Sequence, residues 1–442
     1  MNKVTITHFI PLIGPFIMGC KKINDVENKY FISLSPFKNN EQHINHNFNE
    51  INVDYIDERD QNIKDYISSD FTKDNSVYTR FISDNGIEPT DIQLSVPPCA
   101  GLSMMNAGNR GADNAANRWM YETVKWFVAQ RSKVLVFENA PGFVGSHGLK
   151  VMNNIHGILK SLGVENEYKM QVTKTNTVMH GIPQNRQRCF FYLIKSDCNF
   201  RFKNISHITP TLEEFLKYSE EENADNDHIT LKMKWNQEDL DIINSKNEWG
   251  YFRDRLKNRD PECSHDNMSC FPYWLEQYNK DNTYFNDYPR KAKDCDRVNK
   301  KLAQGLGYWD GSPNFVRGRT NAIVAKNAFN TMHPIFNRYL TIREMMSLMG
   351  YDESFRLVDP IKNFNHICQS LPVCTGIDHI KWAIGIVNDD PSLVDSSIKI
   401  DSKVLFQNNC KGDLENEIYT GNFDSWVPFK AKKTSSLKSF VK

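Results

Sequence analysis

The sequence predicts an α/β protein with a doubly wound, mostly parallel sheet and a second, smaller irregular lobe. Through residues 1–195, short apolar segments alternate with longer amphipathic ones, as strands and helices do in a parallel sheet. Residues 196–330 are polar, dotted with aromatic side chains and without a clear period. At 442 residues the chain is also too long for one core of ordinary size.

The first region supplies the sheet. Its short apolar runs predict strands at KVTITHFI, KYFISLS, DIQLSV, KVLVFE and RCFFYLIK. Apolar residues recur at helical spacing in the segments between, which predicts helices at RWMYETVKWFVAQRS and LKVMNNIHGILKSLG. In a sheet of this kind, reactive groups gather at the carboxyl ends of the strands.

Helical periodicity returns in residues 331–391. Segment 337–355 has Thr341 as an N-cap, Glu344 as its capping-box partner and Gly350 as a stop. VCTGIDHIKWAIGIVND follows as a second amphipathic helix. Residues 392–442 are polar and end in a basic stretch, so we expect a peripheral extension there.

Composition restricts the class of protein. Lys plus Arg and Asp plus Glu each number 54, so any basic surface for nucleic acid must be local. No apolar run reaches the roughly 18 residues of a membrane span, and 10 scattered cysteines favour free thiols in the cytoplasm. Cys263, His265 and Cys270 come nearest to a metal motif, but no CxxC accompanies them, so we predict no resident metal.

The stretch DIQLSVPPCAGLS places Cys99 behind a strand and two prolines. A cysteine in an apolar run is usually a small core residue. Here, however, Pro97 and Pro98 stiffen the backbone after the strand, and Gly101 opens a loop. A rigid turn and a loop at a strand end are where this fold exposes reactive groups, so we interpret Cys99 as a nucleophile.

Two further polar groups border predicted strands. VLVFENAPG ends a buried strand with Glu138, whose charge is costly there without a ligand or partner. HGIPQNRQRCFFYLI leads into another strand, and its alternation puts Arg186 and Arg188 on one face, as a cationic pair suited to phosphate or carboxylate. Taken singly, a surface salt bridge and a structural arginine pair remain alternatives.

In this order, the motifs resemble those of the DNA cytosine C5-methyltransferase family. PPCAGLS is similar to its catalytic loop, ENAPG to its ENV-type motif and HGIPQNRQR to its PQxRxR motif. RYLTIREMMSLMGYDESF is similar to its RxLTxRE motif, and QSLPVCTG lies where its NAVP motif belongs. The resemblance implies a Rossmann-like catalytic domain at 1–195, a target recognition domain at 196–330, helices at 331–391 that return to the catalytic domain, and an extension at 392–442.

The resemblance also implies a role for each site residue. Cys99 would be the thiolate that adds to cytosine C6, which breaks the aromaticity and makes C5 nucleophilic. Glu138 would hold the N3 edge, protonated or sharing a proton. Arg186 and Arg188 would lower the pKa of Cys99 and place a phosphate. The partner would be double-stranded DNA with a flipped cytosine, bound by a monomer.

The cofactor side departs from the family pattern. FIPLIGPFIMG matches a glycine-rich turn that approaches S-adenosylmethionine, but Leu12 and Pro15 stand where glycines are expected. Ser35 stands where an acidic residue for the ribose is expected, and Gln369 where asparagine is usual. The cofactor-binding residues that the resemblance implies are Phe9, Ile13, Gly14, Phe16, Ser35, Phe37, Pro97 and Gln369.

Contacts to DNA need local positive charge. The loop after Cys99, the PQxRxR motif and the basic stretch at 314–327 supply polar and cationic side chains for this. The predicted DNA-binding residues are Ser103, Asn106, Arg110, Gln184, Arg317, Arg319 and Lys326.

Because the departures fall on the cofactor side, the one-carbon donor stays open. Transfer of a methyl group from S-adenosylmethionine, giving 5-methylcytosine, is the reading we favour. Transfer of a hydroxymethyl group from 5,10-methylene-tetrahydrofolate is the alternative, since thymidylate synthase and its relatives use the same thiolate addition. A DNA-binding homologue without catalysis ranks third. Each would act in the cytoplasm, or wherever the target DNA lies in a bacterial or phage-infected cell.

Overall fold

The computed structural model describes residues 3–56, 75–103, 111–217, 341–398, 404–408 and 415–418, with shorter stretches between 278 and 340. The strands are β1 Val4–Phe9, β2 Val26–Leu34, β3 Asp54–Ile56, β4 Ile92–Ser95, β5 Val134–Asn139, β6 Tyr168–Asn176, β7 Gln184–Asn185, β8 Gln187–Lys195, β9 Arg201–Phe202, β10 Thr320–Asn321, β11 Val394–Asp395, β12 Val404–Asn408 and β13 Glu415–Ile418.

The helices are α1 Pro15–Lys21, α2 Lys38–Asn47, α3 Ser76–Asp84, α4 Arg118–Gln130, α5 Ser146–Ser161, α6 Leu212–Phe215, α7 Ile342–Ser347, α8 Pro360–Gln369 and α9 Val373–Asn388. Short 3-10 turns cover Ser35–Phe37, Ala115–Asn117, Pro141–Val144, Thr177–His180 and Asn282–Phe285. Over the part of the chain that is described, no helix combines the length and the apolar character needed to cross a bilayer.

One large sheet organises the chain, with the strand order β13-β12-β6-β8-β5-β4-β1-β2-β3. Strands β1 to β5 pair in parallel, whereas β8 runs antiparallel between β5 and β6. The prediction of an α/β protein with a mostly parallel sheet is therefore confirmed. The five predicted strands are β1, β2, β4, β5 and β8.

The core lies where helices α4 and α5 cover the centre of the sheet. All six residues of β5 are buried. Phe137 of this strand stacks on Phe191 of β8, with 4.6 Å between ring centroids, and Phe143 meets both rings edge-on. Burying three aromatic side chains in this way stabilises the fold by several kcal/mol, at about 25 cal/mol per Å² of apolar surface. The core therefore fixes the ends of β5 and β8 relative to each other.

The predicted capping box at Thr341 is present. The backbone N–H of Thr341 donates to Glu344 Oε2 at 2.8 Å, and the N–H of Glu344 donates to Thr341 Oγ1 at 3.1 Å. Helix α7 is nevertheless only six residues long, shorter than the predicted 337–355 segment. Gly350 lies in the left-handed region, with φ 77°, and turns the chain after the helix.

The chain divides into two compact units, one of residues 1–210 with 346–442 and one of residues 211–345. The first unit extends past the predicted boundary at 195 because β9 pairs antiparallel with β11 inside it. Most of the predicted target recognition domain lies outside the described residues.

The segment after 392 differs from the expected peripheral extension. Strand β12 pairs in parallel with β6, from Val404 opposite Met170 to Asn408 opposite Lys174, and so extends the main sheet. Leu405, Phe406 and Gln407 are buried. The sequence did not predict this strand, because its apolar run is short and lies within a polar segment.

Replacing Phe406 by alanine tests this assignment. Because Phe406 is buried in the same core cluster as Phe137 and Phe191, the substitution should lower the free energy of unfolding by about 3–5 kcal/mol in urea denaturation. The matched control is Ser397→Ala in the same segment, where the side chain is exposed and the change should stay within about 0.5 kcal/mol. A loss for Phe406→Ala no larger than the control would show that β12 does not belong to the sheet.

Candidate active site

The candidate site lies at the carboxyl edge of the parallel strands. Cys99 follows the last residue of β4 by four positions, and Glu138 is the penultimate residue of β5, the neighbouring strand. Since β4 and β5 run parallel, both residues reach the same edge of the sheet. Pro97 is buried in the turn between β4 and Cys99.

The Cys99 turn is held by its own backbone. The carbonyl of Cys99 accepts hydrogen bonds from the N–H groups of Leu102 at 3.0 Å and Ser103 at 2.9 Å. The thiol is partly buried against the main core cluster. These contacts make Cys99 the first residue of a tight, hydrogen-bonded turn.

Gly142 of the ENAPG motif explains why this turn fits against β5. A Cβ added at Gly142 would come within 2.2 Å of the Leu102 carbonyl oxygen, far inside van der Waals contact. A Cβ at Gly101 would similarly meet Asn117 Oδ1 at 2.1 Å. The ENAPG motif and the Cys99 turn are therefore packed backbone to backbone at Gly142, whereas Gly101 leaves room for the Asn117 side chain.

Glu138 is almost completely buried and forms an ion pair with Arg188. The Arg188 Nε atom lies 2.7 Å from Glu138 Oε1, and only 2% of the glutamate side chain is exposed. Burial raises the pKa of Glu138, and the charges of Arg188 and Arg186 offset part of this increase. The net shift of the Glu138 pKa is therefore upward, although its carboxylate pairs with Arg188.

The pKa of Cys99 reflects burial together with nearby charges of both signs. Burial raises the pKa of the Cys99 thiol, and the nearby Glu138 charge raises it further. The Arg188 and Arg186 charges do lower it, but the net shift is upward. The two arginine charges act in the direction expected of them, but burial outweighs them, so the pKa of Cys99 is raised overall.

Arg186 holds the backbone that precedes helix α9. Its Nη2 donates to the carbonyls of Cys368 and Ser370, both at 2.7 Å, and the side chain is completely buried. Burial lowers the pKa of Arg186 to about 9, so the group stays charged at neutral pH. This position does not suit the predicted contact with a phosphate, because the side chain is enclosed by protein.

The predicted DNA-binding residues divide into three groups. Gln184 is completely buried and donates to the Leu348 carbonyl at 2.6 Å, so the DNA contact predicted for it does not fit the structure. Ser103 is partly buried beside Cys99, and Arg319 is exposed. The remaining four, Asn106, Arg110, Arg317 and Lys326, lie outside the described residues.

The turn after β1 has an unusual backbone for its sequence. Ile10 and Leu12 have φ of 51° and 57°, in the left-handed region that favours glycine, and Gly14 has φ 89°. Leu12 thus takes the backbone conformation of the glycine it replaces, at a cost of roughly 1–2 kcal/mol. Pro15 is the first residue of α1, where proline is favoured.

The other predicted cofactor residues surround this turn in different ways. Phe9, Ile13 and Phe16 are buried, and Phe9 stacks on Trp126 at 5.2 Å. Phe37 meets Trp119 edge-on at 4.9 Å, just after β2. The remaining two are Ser35, whose Oγ donates to the Ile56 carbonyl at 3.0 Å, and Gln369, which is exposed at the end of α8.

Glu41 is a buried acidic residue that the sequence reading missed. It lies in α2, and its Oε1 accepts a hydrogen bond from Ser33 Oγ at 2.7 Å. Burial raises its pKa to about 8, whereas hydrogen bonds from Ser33, Tyr55 and the backbone of Leu12 favour the charged form. It brings a carboxyl group to the turn after β1, close to the strand end where Ser35 replaces the expected acidic residue.

The architecture is Rossmann-like, and two solved structures share it. One similar solved structure is a prophage-encoded E. coli protein assigned as a DNA modification methyltransferase, with TM-score 0.52 and 15% identity, over 87% of this chain and 100% of that one. The Entamoeba histolytica methyltransferase EhMeth gives TM-score 0.52 and 12% identity, over 88% and 99%. At such identities the likeness establishes the fold.

The family follows from the sequence. A profile of the C-5 cytosine-specific DNA methylase family matches residues 18–375, so the chain belongs to this family and the resemblance is confirmed. It is 31% identical over 120 residues to the type II methyltransferase M.DdeI of Desulfomicrobium norvegicum, covering 25% of this chain and 28% of the relative. M.Bsp6I of Bacillus sp. is 27% identical over 133 residues, covering 29% and 41%. The alignments thus span less than half of these relatives.

The pH dependence of Cys99 alkylation tests the electrostatics of the site. In the free protein, reaction of Cys99 with iodoacetamide should be slow at neutral pH and should rise above the ordinary thiol pKa of about 8.5, because only the thiolate reacts. Glu138→Gln should move the profile to lower pH, since it removes a charge that raises the pKa of Cys99. Arg188→Gln should move it to higher pH. Mass spectrometry of the Cys99 peptide gives the rate.

Cys198, which is exposed, provides an internal reference for reagent and pH in each protein. Identical Cys99 profiles in the wild type and both variants would contradict this description of the site. So would a wild-type profile centred at or below the ordinary thiol value.

Proposed function

We propose that the chain is a DNA cytosine-C5 methyltransferase that transfers a methyl group to cytosine through covalent addition of Cys99. The observation that carries the proposal is the grouping of Cys99, Glu138 and Arg188 at the edge of β4, β5 and β8, where burial raises the pKa of Glu138. Membership of the C-5 cytosine-specific family supplies the reaction class.

In the proposed reaction the Cys99 thiolate forms a bond to C6 of the cytosine. The C5–C6 double bond is lost, and the electron pair becomes available at C5. After transfer to C5, loss of the C5 proton and expulsion of the Cys99 thiolate restore the aromatic ring. Because the pKa of Cys99 is raised in the free protein, the thiolate must be favoured further once the substrate covers the site.

Glu138 would supply the proton that this addition requires. As the sulfur adds, negative charge develops on the ring, and a protonated carboxyl group at N3 neutralises it. Arg188 holds the Glu138 side chain in place through the 2.7 Å ion pair. We therefore assign Arg188 a positioning role rather than the contact with a phosphate that the sequence implied.

The residues at the turn after β1 fit S-adenosylmethionine as the methyl donor. The turn has the left-handed φ angles of a glycine-rich turn, and the side chains of Ile10 and Leu12 are buried in protein. Gly14, Phe37, Pro97 and Gln369 would hold the donor, and the buried Glu41 would support the turn through its hydrogen bond with the Leu12 backbone. S-adenosylmethionine supplies an electrophilic methyl group that C5 can attack.

The DNA would be double-stranded, with the target cytosine flipped out of the helix to reach a thiol in a partly buried turn. The exposed Arg319 is a candidate for a backbone contact, and Ser103 lies next to the turn that would meet the flipped base. Asn106, Arg110, Arg317 and Lys326, which lie outside the described residues, remain sequence-based candidates for DNA contacts.

Covalent trapping tests the proposal without knowledge of the target site. Duplex DNA copied with 5-fluorocytosine in place of cytosine should form a denaturant-stable adduct with the wild type in the presence of S-adenosylmethionine, because fluorine at C5 prevents release of Cys99. Cys99→Ala should form none. Plasmid DNA from cells that express the chain should contain 5-methylcytosine, as measured by nucleoside mass spectrometry, and Cys99→Ala should abolish it.

Other outcomes would separate the alternatives. 5-Hydroxymethylcytosine in the plasmid, with binding of 5,10-methylene-tetrahydrofolate and not of S-adenosylmethionine, would contradict the assignment of S-adenosylmethionine as the donor. DNA binding without an adduct or a modified nucleoside would contradict the proposal that the chain is a catalyst. Cys198→Ala, which removes an exposed thiol away from the site, is the matched control and should behave as the wild type.

A further inference from the structure

Three side chains outside the proposed catalytic site form a compact cluster of metal-binding groups. They are His180, from the 3-10 turn after β6, His207, from the segment between β9 and α6, and Asp378, from the middle of α9. One potential ligand atom from each lies within 4.8 Å of the others. Among the described residues, this is the group of at least three His, Cys, Asp or Glu side chains whose ligand atoms lie close enough together to hold one metal ion.

The buried carboxylate of Asp378 is the feature that calls for an explanation. Its side chain is 1% exposed, and the proposed reaction does not use it. Its Oδ2 lies 2.6 Å from His180 Nδ1 and 2.6 Å from His207 Nε2. Its Oδ1 is buried and has no hydrogen-bond partner within the described part of the chain. A buried carboxylate normally has all its acceptor sites satisfied or binds a cation.

We propose that His180, His207 and Asp378 bind a zinc ion. Two imidazole nitrogens and one carboxylate oxygen are ligands that zinc prefers, and water can complete a tetrahedral site. Zinc at about 2.0–2.2 Å from each ligand separates the ligands by roughly 3.3 Å, so the two 2.6 Å contacts need to lengthen by less than about 1 Å.

A hydrogen bond from the other nitrogen of the His180 ring supports the same assignment. His180 Nε2 lies 2.7 Å from Thr175 Oγ1, in strand β6. A histidine that binds a metal through one ring nitrogen usually fixes its tautomer by a hydrogen bond through the other. With zinc on Nδ1, the Nε2–H group of His180 donates to Thr175, which orients the ring towards Asp378.

His207 gives the site access to solvent. Its side chain is 26% exposed, whereas those of His180 and Asp378 are buried. An ion can therefore enter from the His207 side and keep a water ligand there. Because the three ligands come from separate parts of the first unit, the bound ion would fasten the 203–209 segment to helix α9 and to the turn after β6.

The test measures bound zinc in the full-length protein. After dialysis against a chelator and then against micromolar buffered zinc, the wild type should retain about one zinc per chain by mass spectrometry of the metal. His207→Gln should retain none, and zinc should raise the Tm of the wild type but not that of His207→Gln. His207 is exposed, so this variant keeps the fold, which circular dichroism verifies.

His265→Gln is the matched control, because His265 belongs to the Cys263, His265 and Cys270 motif, which lies outside the described residues. It should bind zinc as the wild type does. Three results would overturn the proposal: no zinc in the wild type, undiminished zinc in His207→Gln, or loss of zinc in His265→Gln. Absence of zinc in the wild type would mean that hydrogen bonds alone hold the cluster. Loss of zinc in His265→Gln would locate the ion at the motif that contains His265.

Discussion

The buried ion pair between Arg188 and Glu138 is the constraint on which the site depends. A carboxylate enclosed at a strand end needs a partner, and removing one member of such a pair costs roughly 3–5 kcal/mol. The antiparallel register of β5 and β8 places Glu138 opposite Phe190, so Arg188, two residues before it, falls diagonally on the same face. A slip of one residue would turn the guanidinium to the other face of the sheet. The Phe137–Phe191 stack in the core holds this register.

The other features of the site are arranged around the Arg188–Glu138 ion pair. Gly142 allows the Cys99 turn to approach the end of β5 at backbone distance, so the thiol experiences the charges of both Glu138 and Arg188. Arg186, two residues before Arg188, is enclosed and holds the chain before α9. Packing therefore preorganises the site around the thiol.

The sequence predicted the sheet well where strands were apolar and bordered by motifs, as at β4 and β5. It missed β6, whose sequence YKMQVTKTN alternates with polar residues, and β12, a short apolar run in a polar segment. The order of Cys99, Glu138 and the arginines predicted the family correctly, because the order of motifs can be read from the sequence without knowing how the chain packs.

What the sequence could not predict depends on burial. The direction of the Cys99 pKa is a balance between desolvation and three charges, and no motif contains that balance. Gln184 looked like a surface residue because it lies in a polar motif, but the fold encloses it. Glu41 lies in the polar segment KNNEQHINHN, where nothing marks one acidic residue as buried.

The central claim is that Cys99 activates cytosine by adding to C6, whichever group is then transferred. Addition makes C5 able to exchange its hydrogen with solvent, so the claim can be tested without a donor. Duplex DNA incubated with the protein in deuterated water, then digested and analysed by nucleoside mass spectrometry, should contain 5-deuterocytosine. Cys99→Ser should leave cytosine unlabelled. Absence of exchange with the wild type, or equal exchange with Cys99→Ser, would contradict the account.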